Sequence, residues 1–492
     1  VLISSTDDIL SLVTLGLNYG GGVIMTQSND RYQEGPLMPN DDNSKLEKKL
    51  SPSAQAILRF IKVYEEGGKI DVFTEDAEFT RLRQIVTSYR GSLYSLLMKR
   101  LDEVLDLGGV EIITQRDVMS LILRLFYDNI SYLTKNELVF LESLIEAPGE
   151  SIKTLSGQSE LSYAQARRAQ KRLSDSGVLK IGGLLNTERL GLERILLIFE
   201  TPSLVLSGPY CQKTLFVDGS TPNVFIVLYI PQTQRDQFLN IIKGLRDGTT
   251  NVTAWRLSTG QPRFSGLYFN RANGWDLDLV HFRLMLRRGG DPLVLADLLS
   301  SSTIDQYRFT YADTRVMDAL VESLDGTAAD IATSTKLSQT TAFRKRNHLR
   351  KNDIIQPRVK IDIPRLGDRV ITLLSPECAG DLITAWGNLP LSYQSKIQNL
   401  EDKREQRVLL STALPTGTGQ ELIDVLTDEI SRVHDYDVYK VAAGLYNDTK
   451  VSSMYDRRKG EWKWNISQHF DAISYGVARK EAASQNIPLD LA

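Results

Sequence analysis

The chain has little of what metal and redox sites are made from: two cysteines and four histidines in 492 residues. Cys211 and Cys378 supply neither a disulfide framework nor a thiolate metal site, and a reducing cytoplasm is the expected compartment. No apolar run approaches the ~20 residues that span a bilayer. The opening VLISSTDDILSLVTLGLNYGGGVIM lacks a basic start and holds Asp7 and Asp8, which makes a poor signal peptide. A first residue other than Met points to a truncated or processed start. The sequence contains no P-loop, no G-x-S-x-G, no H-E-x-x-H and no Cys-x-x-Cys. Gly20-Gly21-Gly22 is not followed by Lys-Ser/Thr, and GTGQ at 417–420 reads as the loop before a helix. These absences lead to the expectation of a non-enzyme with no catalytic residue, no cofactor and no metal. Charge of one sign is also lacking: 58 Lys and Arg face 61 Asp and Glu, a net −3. Affinity for a polyanion would therefore need local clusters.

What is present is a duplication. The segment from Leu161, LSYAQARRAQKRLSDSGVLK, recurs at a constant offset as LSQTTAFRKRNHLRKNDIIQ from Leu337. Arg189-Leu190-Gly191 returns as Arg365-Leu366-Gly367, while Leu141, Leu144 and Leu155 match Met317, Leu320 and Ile331. Each copy reads as two helices, a third basic helix and a short apolar wing. Thr134 with Glu137 is a capping box at the start of the first, and Gly177 ends the third. The wings are VLKIGGLLN and IIQPRVKIDI. After each headpiece the pattern changes to mixed strands and helices, β-α-β-β-α-β, although the first helical slot of the earlier copy, SLVLSGPY, is poor. An aromatic tail closes each copy: Tyr268 matches Tyr455, and His281-Phe282 matches His469-Phe470. Too few ligand-type residues accompany these histidines for a metal site, so Trp275, His281, Trp462, Trp464 and His469 are expected to pack.

The expected fold class is α+β: two repeats of a winged helix-turn-helix plus a ferredoxin-like βαββαβ domain, preceded by a helical N-terminal region. The expected divisions are an extension and linker over 1–50, helices over 51–130, and the first headpiece over 131–186. The first ferredoxin-like domain with its tail covers 187–290, and a linker covers 291–308. The second headpiece covers 309–362, its ferredoxin-like domain 363–450, and the aromatic C-terminal tail 451–492. In the N-terminal helices a stripe of Leu93, Leu96, Leu97, Leu101, Val104 and Leu105 marks a buried face.

With these segments in view, the chain resembles the Lrp/AsnC (leucine-responsive regulator) transcription factors. Leu337, Ser338, Thr341, Arg344, Leu349, Ile354, Ile355, Leu366 and Gly367 match the family's LSxxTVxRRIxxLxxxGIIxxxxxxxDxxxLG pattern. Leu161, Ser162, Arg168, Leu173, Gly177, Val178, Leu179, Leu190 and Gly191 match it in the first copy. Asp353 stands where the family has glycine, and the tandem form resembles archaeal members. The resemblance implies double-stranded DNA as partner, with two headpieces acting as a covalent pseudo-dimer in a cytoplasmic, nucleoid-associated transcription regulator. Residues 162–180 carry Arg167, Arg168, Lys171, Arg172 and Lys180 against Asp175, about +4. Residues 338–360 carry Arg344, Lys345, Arg346, Arg350, Lys351, Arg358 and Lys360 against Asp353, about +6. The expected DNA-contacting residues are Ser162, Tyr163, Gln165, Arg167, Arg168, Lys171 and Arg172, with Ser338, Gln339, Thr340, Thr341, Arg344, Lys345, Arg346 and Arg350. The competing reading is an interaction protein whose winged helices dock a transcription-machinery or chromatin partner. Homo-oligomerisation and an intramolecular pseudo-dimer both remain open.

Overall fold

The computed structural model describes residues 46, 48–68, 77–106, 112–247, 251–289, 305–430, 436–447, 450–465 and 471–483. The glycine run at 20–22, His434, His469 and most of the expected 291–308 linker lie outside the described residues. The chain divides into two compact units at Tyr132/Leu133.

The first unit is helical: α1 (Pro52–Glu65), α2 (Ala77–Ser88), α3 (Leu93–Asp106) and α4 (Gln115–Ser131). Ser51 caps α1 ahead of Pro52, and Thr114 with Asp117 forms a capping box on α4. The stripe on α3 is narrower than its spacing suggests. Leu93, Leu97 and Leu101 are buried, whereas Val104 is 39% exposed.

The second unit opens with the first headpiece: α5 (Lys135–Glu146), α6 (Ile152–Gln158), α7 (Tyr163–Asp175) and β1 (Leu179–Leu185). The Thr134–Glu137 capping box is present. Then come β2 (Leu192–Glu200), β3 (Leu204–Ser207), β4 (Cys211–Asp218), β5 (Pro222–Pro231), α8 (Arg235–Asp247) and β6 (Asn251–Leu257). The segment ends with β7 (Gln261–Phe264), the small hairpin β8 (Phe269–Asn270) and β9 (Gly274–Trp275), and α9 (Leu279–Arg288). The second headpiece follows as α10 (Tyr311–Glu322), α11 (Ala328–Thr335), α12 (Gln339–Lys351) and β10 (Ile355–Ile361). Its sheet domain contains β11 (Asp368–Leu374), α13 (Pro376–Gly387), β12 (Leu391–Asn399), β13 (Gln406–Leu414), α14 (Gly419–Ile430) and β14 (Tyr436–Tyr446). The tail forms β15 (Tyr455–Asp456), β16 (Glu461–Trp462), β17 (Asp471–Ser474) and α15 (Tyr475–Ala482).

The repeated apolar positions are headpiece core. Met317, Leu320, Ile331, Leu349 and Ile354 form one cluster, and their counterparts Leu141, Leu144, Leu155, Leu173 and Val178 are equally buried. Neither wing is a hairpin of its own. β1 and β10 pair with each other, antiparallel, from Leu179↔Ile361 to Leu185↔Ile355. Gly182 and Gly183 let this ribbon lie against α10. A Cβ on Gly182 would sit 2.5 Å from the Val321 carbonyl oxygen, and one on Gly183 2.4 Å from Ile355 Cδ1.

Each βαββαβ copy orders its strands as a ferredoxin-like sheet: β4-β5-β2-β6 in the first and β12-β13-β11-β14 in the second. The two sheets join through β14–β4 and through a shorter β6–β12 contact, Leu257–Trp255 against Ile397–Asn399. The eight strands thus close on themselves, which removes the exposed edges that separate sheets would have. In the first copy no helix occupies the poor slot. β3 stands there instead and pairs with β17 near the chain's end. The following helix α15 sets Ala478 and Ala482 into the same apolar cluster as Phe216, Phe238 and Val205.

Candidate functional site

The basic third helices hold much of their charge inward. On α12, Lys345 Nζ donates to Asp313 Oδ1 at 2.7 Å, and Arg346 and Arg350 donate to the carbonyls of Gly326 and Leu324, both at 2.9 Å. Burial alone would raise Asp313, but bonds from Lys345 and Thr310 outweigh it and hold the carboxyl below its ordinary value. On α7, Arg172 pairs with the buried Glu137 at 2.8 Å, and Arg168 donates to the Ala164 carbonyl. The polar helix starts are occupied with capping. Ser162 and Gln165 form a capping box, and Ser338 Oγ accepts from the Thr341 amide. Tyr163, Arg167, Lys171, Gln339, Thr340 and Arg344 stay exposed, and Thr341 is half-buried. His348 lies on the surface beside Tyr307, ring centroids 5.7 Å apart.

Arg358 and Lys360, whose charges add to the α12 excess in sequence, belong to a different place. They sit on β10, over one end of the strand ring. The inside of that ring follows from alternation along the strands. Leu196 and Ile198 of β2, Leu215 and Val217 of β4, Phe225 and Val227 of β5, Ile371 and Leu373 of β11, and Ile397 of β12 form one apolar cluster. Arg194, Lys213, Tyr229, Arg369 and Tyr393 have the same parity on those strands, so they face the same interior. A bulge between Val441 and Ala443 shifts the parity of β14 and brings Tyr446 inside as well.

These residues gather at one end of the ring, where Arg358 and Lys360 of β10 come close to Lys213. Arg194 lies directly across from Tyr229, Lys213 from Tyr446, and Tyr393 from Ser411. Lys213 Nζ is 6.0 Å from the centre of the Tyr446 ring. Lys213, Arg358 and Arg369 are half-buried, the Lys213 amine itself keeps almost no accessible surface, Asp362 is exposed, and Arg194 and Tyr393 are buried.

The electrostatics are one-sided. Burial lowers Lys213 well below the ordinary lysine value, and Arg358, Arg194 and Lys360 push it further the same way. Arg358 is held down to about 10, by burial first and by Arg194 among its neighbours. Arg369 is lowered by burial and supported by Asp362, whose own carboxyl burial pushes up. Burial raises Tyr446 and Tyr393; the positive charge of Arg369, and for Tyr393 that of Arg358, works against it. Like charges several ångströms apart cost about 2–4 kcal/mol per pair at an effective dielectric near 20. The adjacent position on β2 shows the contrast. Glu193, on the other face, holds both Arg235, at 2.6 Å, and Arg256.

The sequence did carry a signal for this site. ERILLI, QKTLFV and DRVITL each place one Arg or Lys in step with the inward apolar positions at the same end of a strand. The aromatic tail has a different role. Phe309, Tyr455 and Trp462 pack on one another at 5.1–5.4 Å beside a cleft of about 580 Å³. The indole nitrogens of Trp462 and Trp464 donate to the Leu190 carbonyl and to Gln237. His281 packs against Tyr268.

No protein-family model and no curated protein matches the chain. Two solved structures are similar to it. One is the siroheme decarboxylase NirDL in complex with an iron-uroporphyrin III analogue, at 11% identity and a TM-score of 0.37, covering 62% of this chain and 92% of that one. The other is a second structure of the siroheme decarboxylase NirDL, at 13% identity and a TM-score of 0.33, covering 62% of this chain and 91% of that one. The fold is α+β, with two helical headpieces and two ferredoxin-like sheets, but two expectations are corrected. The DNA-binding regulator is overturned: the wings pair with each other, Lys345, Arg346, Arg350 and Arg172 bond to groups of their own headpieces, Arg358 and Lys360 lie near Lys213 of β4, and the similar structures are of an enzyme rather than a regulator. The expected non-enzyme falls with it, because absent motifs exclude only the chemistries that have motifs. Among the described residues no cluster of metal ligands occurs, and no helix is long and apolar enough to cross a membrane.

Proposed function

We propose that this basic end of the strand ring binds a small molecule carrying several carboxylates and is the active site of an enzyme acting on that molecule. The observation behind this reading is the gathering of Arg194, Lys213, Arg358, Lys360 and Arg369, from four strands, at one end of the ring, with Asp362 and Asp368 as the carboxylates acting on Arg369. Guanidinium and ammonium groups gathered in one place attract an anion of matching charge. Arginine forks suit planar carboxylates. Burial pushes the phenols of Tyr393 and Tyr446 toward their protonated form, which makes them hydrogen-bond donors for a bound anion. The support is this gathering of charge, not the likeness to the decarboxylase.

The test is an absorbance titration with uroporphyrin III, a rigid polycarboxylate, against mesoporphyrin, which carries fewer carboxylates. Saturable binding of uroporphyrin III is expected, weakening with salt and by roughly tenfold or more in Arg358→Ala or Arg369→Ala. Equal affinity for the two porphyrins, or no loss in either variant, would contradict the reading.

A further inference from the structure

The cleft of about 580 Å³ beside the aromatic tail includes none of the ring-end cations in its lining. It is built by the Arg189–Gly191 turn, the loop after β5, residues 306–309 ahead of α10, and the β15–β16 hairpin with the two residues behind it. Its volume is that of small-molecule sites, about 300–1,000 Å³. Its walls are tied down. Asp318 of α10 accepts from the Val451 and Ser452 amides at 2.7 and 3.2 Å, and Trp462 Nε1 donates to the Leu190 carbonyl at 2.8 Å. Tyr307, Phe309, Trp462 and Trp464 are half-buried there, so each keeps accessible surface. Arg189, Arg308, Lys459 and Lys463 line the cleft with Asp456 and Glu461, four cations to two carboxylates, a net of +2. Arg189 and Lys463 donate to the carbonyls of Asn352 and Ser453, which engages each donor without cancelling its charge. Lys459 pairs with Glu461 at 3.8 Å, and Asp456 accepts from the Arg458 and Lys459 amides of its own turn.

The duplication separates what this cleft shares with the other copy from what it adds. Counted from the capping threonines Thr134 and Thr310, Arg308-Phe309 stand where the first copy has Tyr132-Leu133. Behind the hairpin, Trp462 is followed by Lys463-Trp464, whereas its match Trp275 is followed by Asp276-Leu277. Arg189 and Trp462 have counterparts in Arg365 and Trp275. Packing alone asks for neither Arg308 nor Lys463, both of which are exposed. We propose that this cleft binds a nucleoside monophosphate, with its base against the half-buried rings and its phosphate among Arg189, Arg308 and Lys463. Every base has a face that stacks on aromatic side chains. A phosphate monoester carries about −1.5 to −2 at neutral pH, which matches the net +2 of the lining; a single carboxylate would leave half of that charge unmatched. The inference does not depend on the reading of the ring end.

Calorimetry of the full chain with adenosine, guanosine and uridine monophosphate, each against its nucleoside and against inorganic phosphate, tests this. At least one nucleotide should bind saturably, roughly tenfold or more tighter than either of its parts, and more weakly as salt rises. Arg308→Ala and Lys463→Ala, both at exposed positions, should keep the wild-type melting temperature and lose about tenfold in that affinity. Trp464→Phe keeps a ring, so it should still bind while the quench of tryptophan fluorescence on titration shrinks. Arg358→Ala, at the end of the strand ring, should bind the nucleotide within about twofold of wild type. Inorganic phosphate binding as tightly as the nucleotide, wild-type affinity in both Arg308→Ala and Lys463→Ala, or an equal loss in Arg358→Ala overturns the inference. So does the absence of binding by all three nucleotides.

Discussion

Two concentrations of positive charge lie in the second unit, and they behave in opposite ways. The one on α7 and α12 is dense in sequence, yet Arg172 ends on Glu137, Lys345 on Asp313, and Arg346 and Arg350 on carbonyls of the 324–326 turn. The one at the end of the ring is sparse in sequence, spread over four strands, yet its members lie close enough to act on one another. Local charge density therefore says little about where positive charge gathers for a ligand. What matters is where the fold carries each cation, outward along a helix or inward to the end of the strand ring.

The largest effects should come from the end of the ring. Replacing Arg194 or Arg358 with Met should weaken polycarboxylate binding by about 2–5 kcal/mol. The same change should leave the unliganded protein as stable or stabilise it by about 1–4 kcal/mol, since an apolar side chain is easier to bury there. Thermal melts with and without uroporphyrin III show both signs at once. If ligand affinity and unliganded stability fall together, the arginines are structural and the contrast between the two regions fails.

An intermediate effect is expected on α12. Lys345→Met leaves Asp313 half-paired in a mostly buried position and should cost about 1–3 kcal/mol of stability. Asp313 is held below its ordinary value, so its contribution is fully present above the unfolded carboxylate range and is lost as pH falls through the lower folded value. Acid denaturation followed by circular dichroism should show a shallower acid limb in Lys345→Met than in wild type; identical limbs would remove Asp313 from the account.

The smallest effect belongs to the exposed arginines. Arg167→Ala and Arg344→Ala should change stability by no more than about 0.5 kcal/mol, and should leave uroporphyrin III affinity at the wild-type level. A loss of affinity matching that of Arg358→Ala would mean the surface charge, not the end of the ring, holds the ligand.

The headpieces were legible because their rules are local. Thr134 with Glu137 and Ser162 with Gln165 form capping boxes within one helical turn, and the repeated apolar positions are the buried ones. The alternation of strands and helices after each headpiece was legible in the same way, from apolar runs such as FIVLYI and RVLLSTAL. The wings were not, because the partner of β1 is β10, about 176 residues away in the duplicated copy. Nor was the role of the C-terminal α15, which packs where the first copy lacks a helix. The basic end of the ring was least legible. Arg194 and Lys213 come near Arg358 and Arg369 only when two sheets close through β14–β4 and β6–β12. Tyr446 is inward only because a bulge shifts its strand's parity. The same absence of long-range information made Arg358 and Lys360 look like an extension of the α12 charge.

A crystal structure of the full chain grown with uroporphyrin III would weigh the two regions directly. Binding at the end of the ring predicts ligand density between β10 and the inside of the strand ring, with carboxylates on Arg194, Arg358 and Arg369. Ligand seated instead on the exposed faces of α7 and α12, with the end of the ring unchanged, would contradict it.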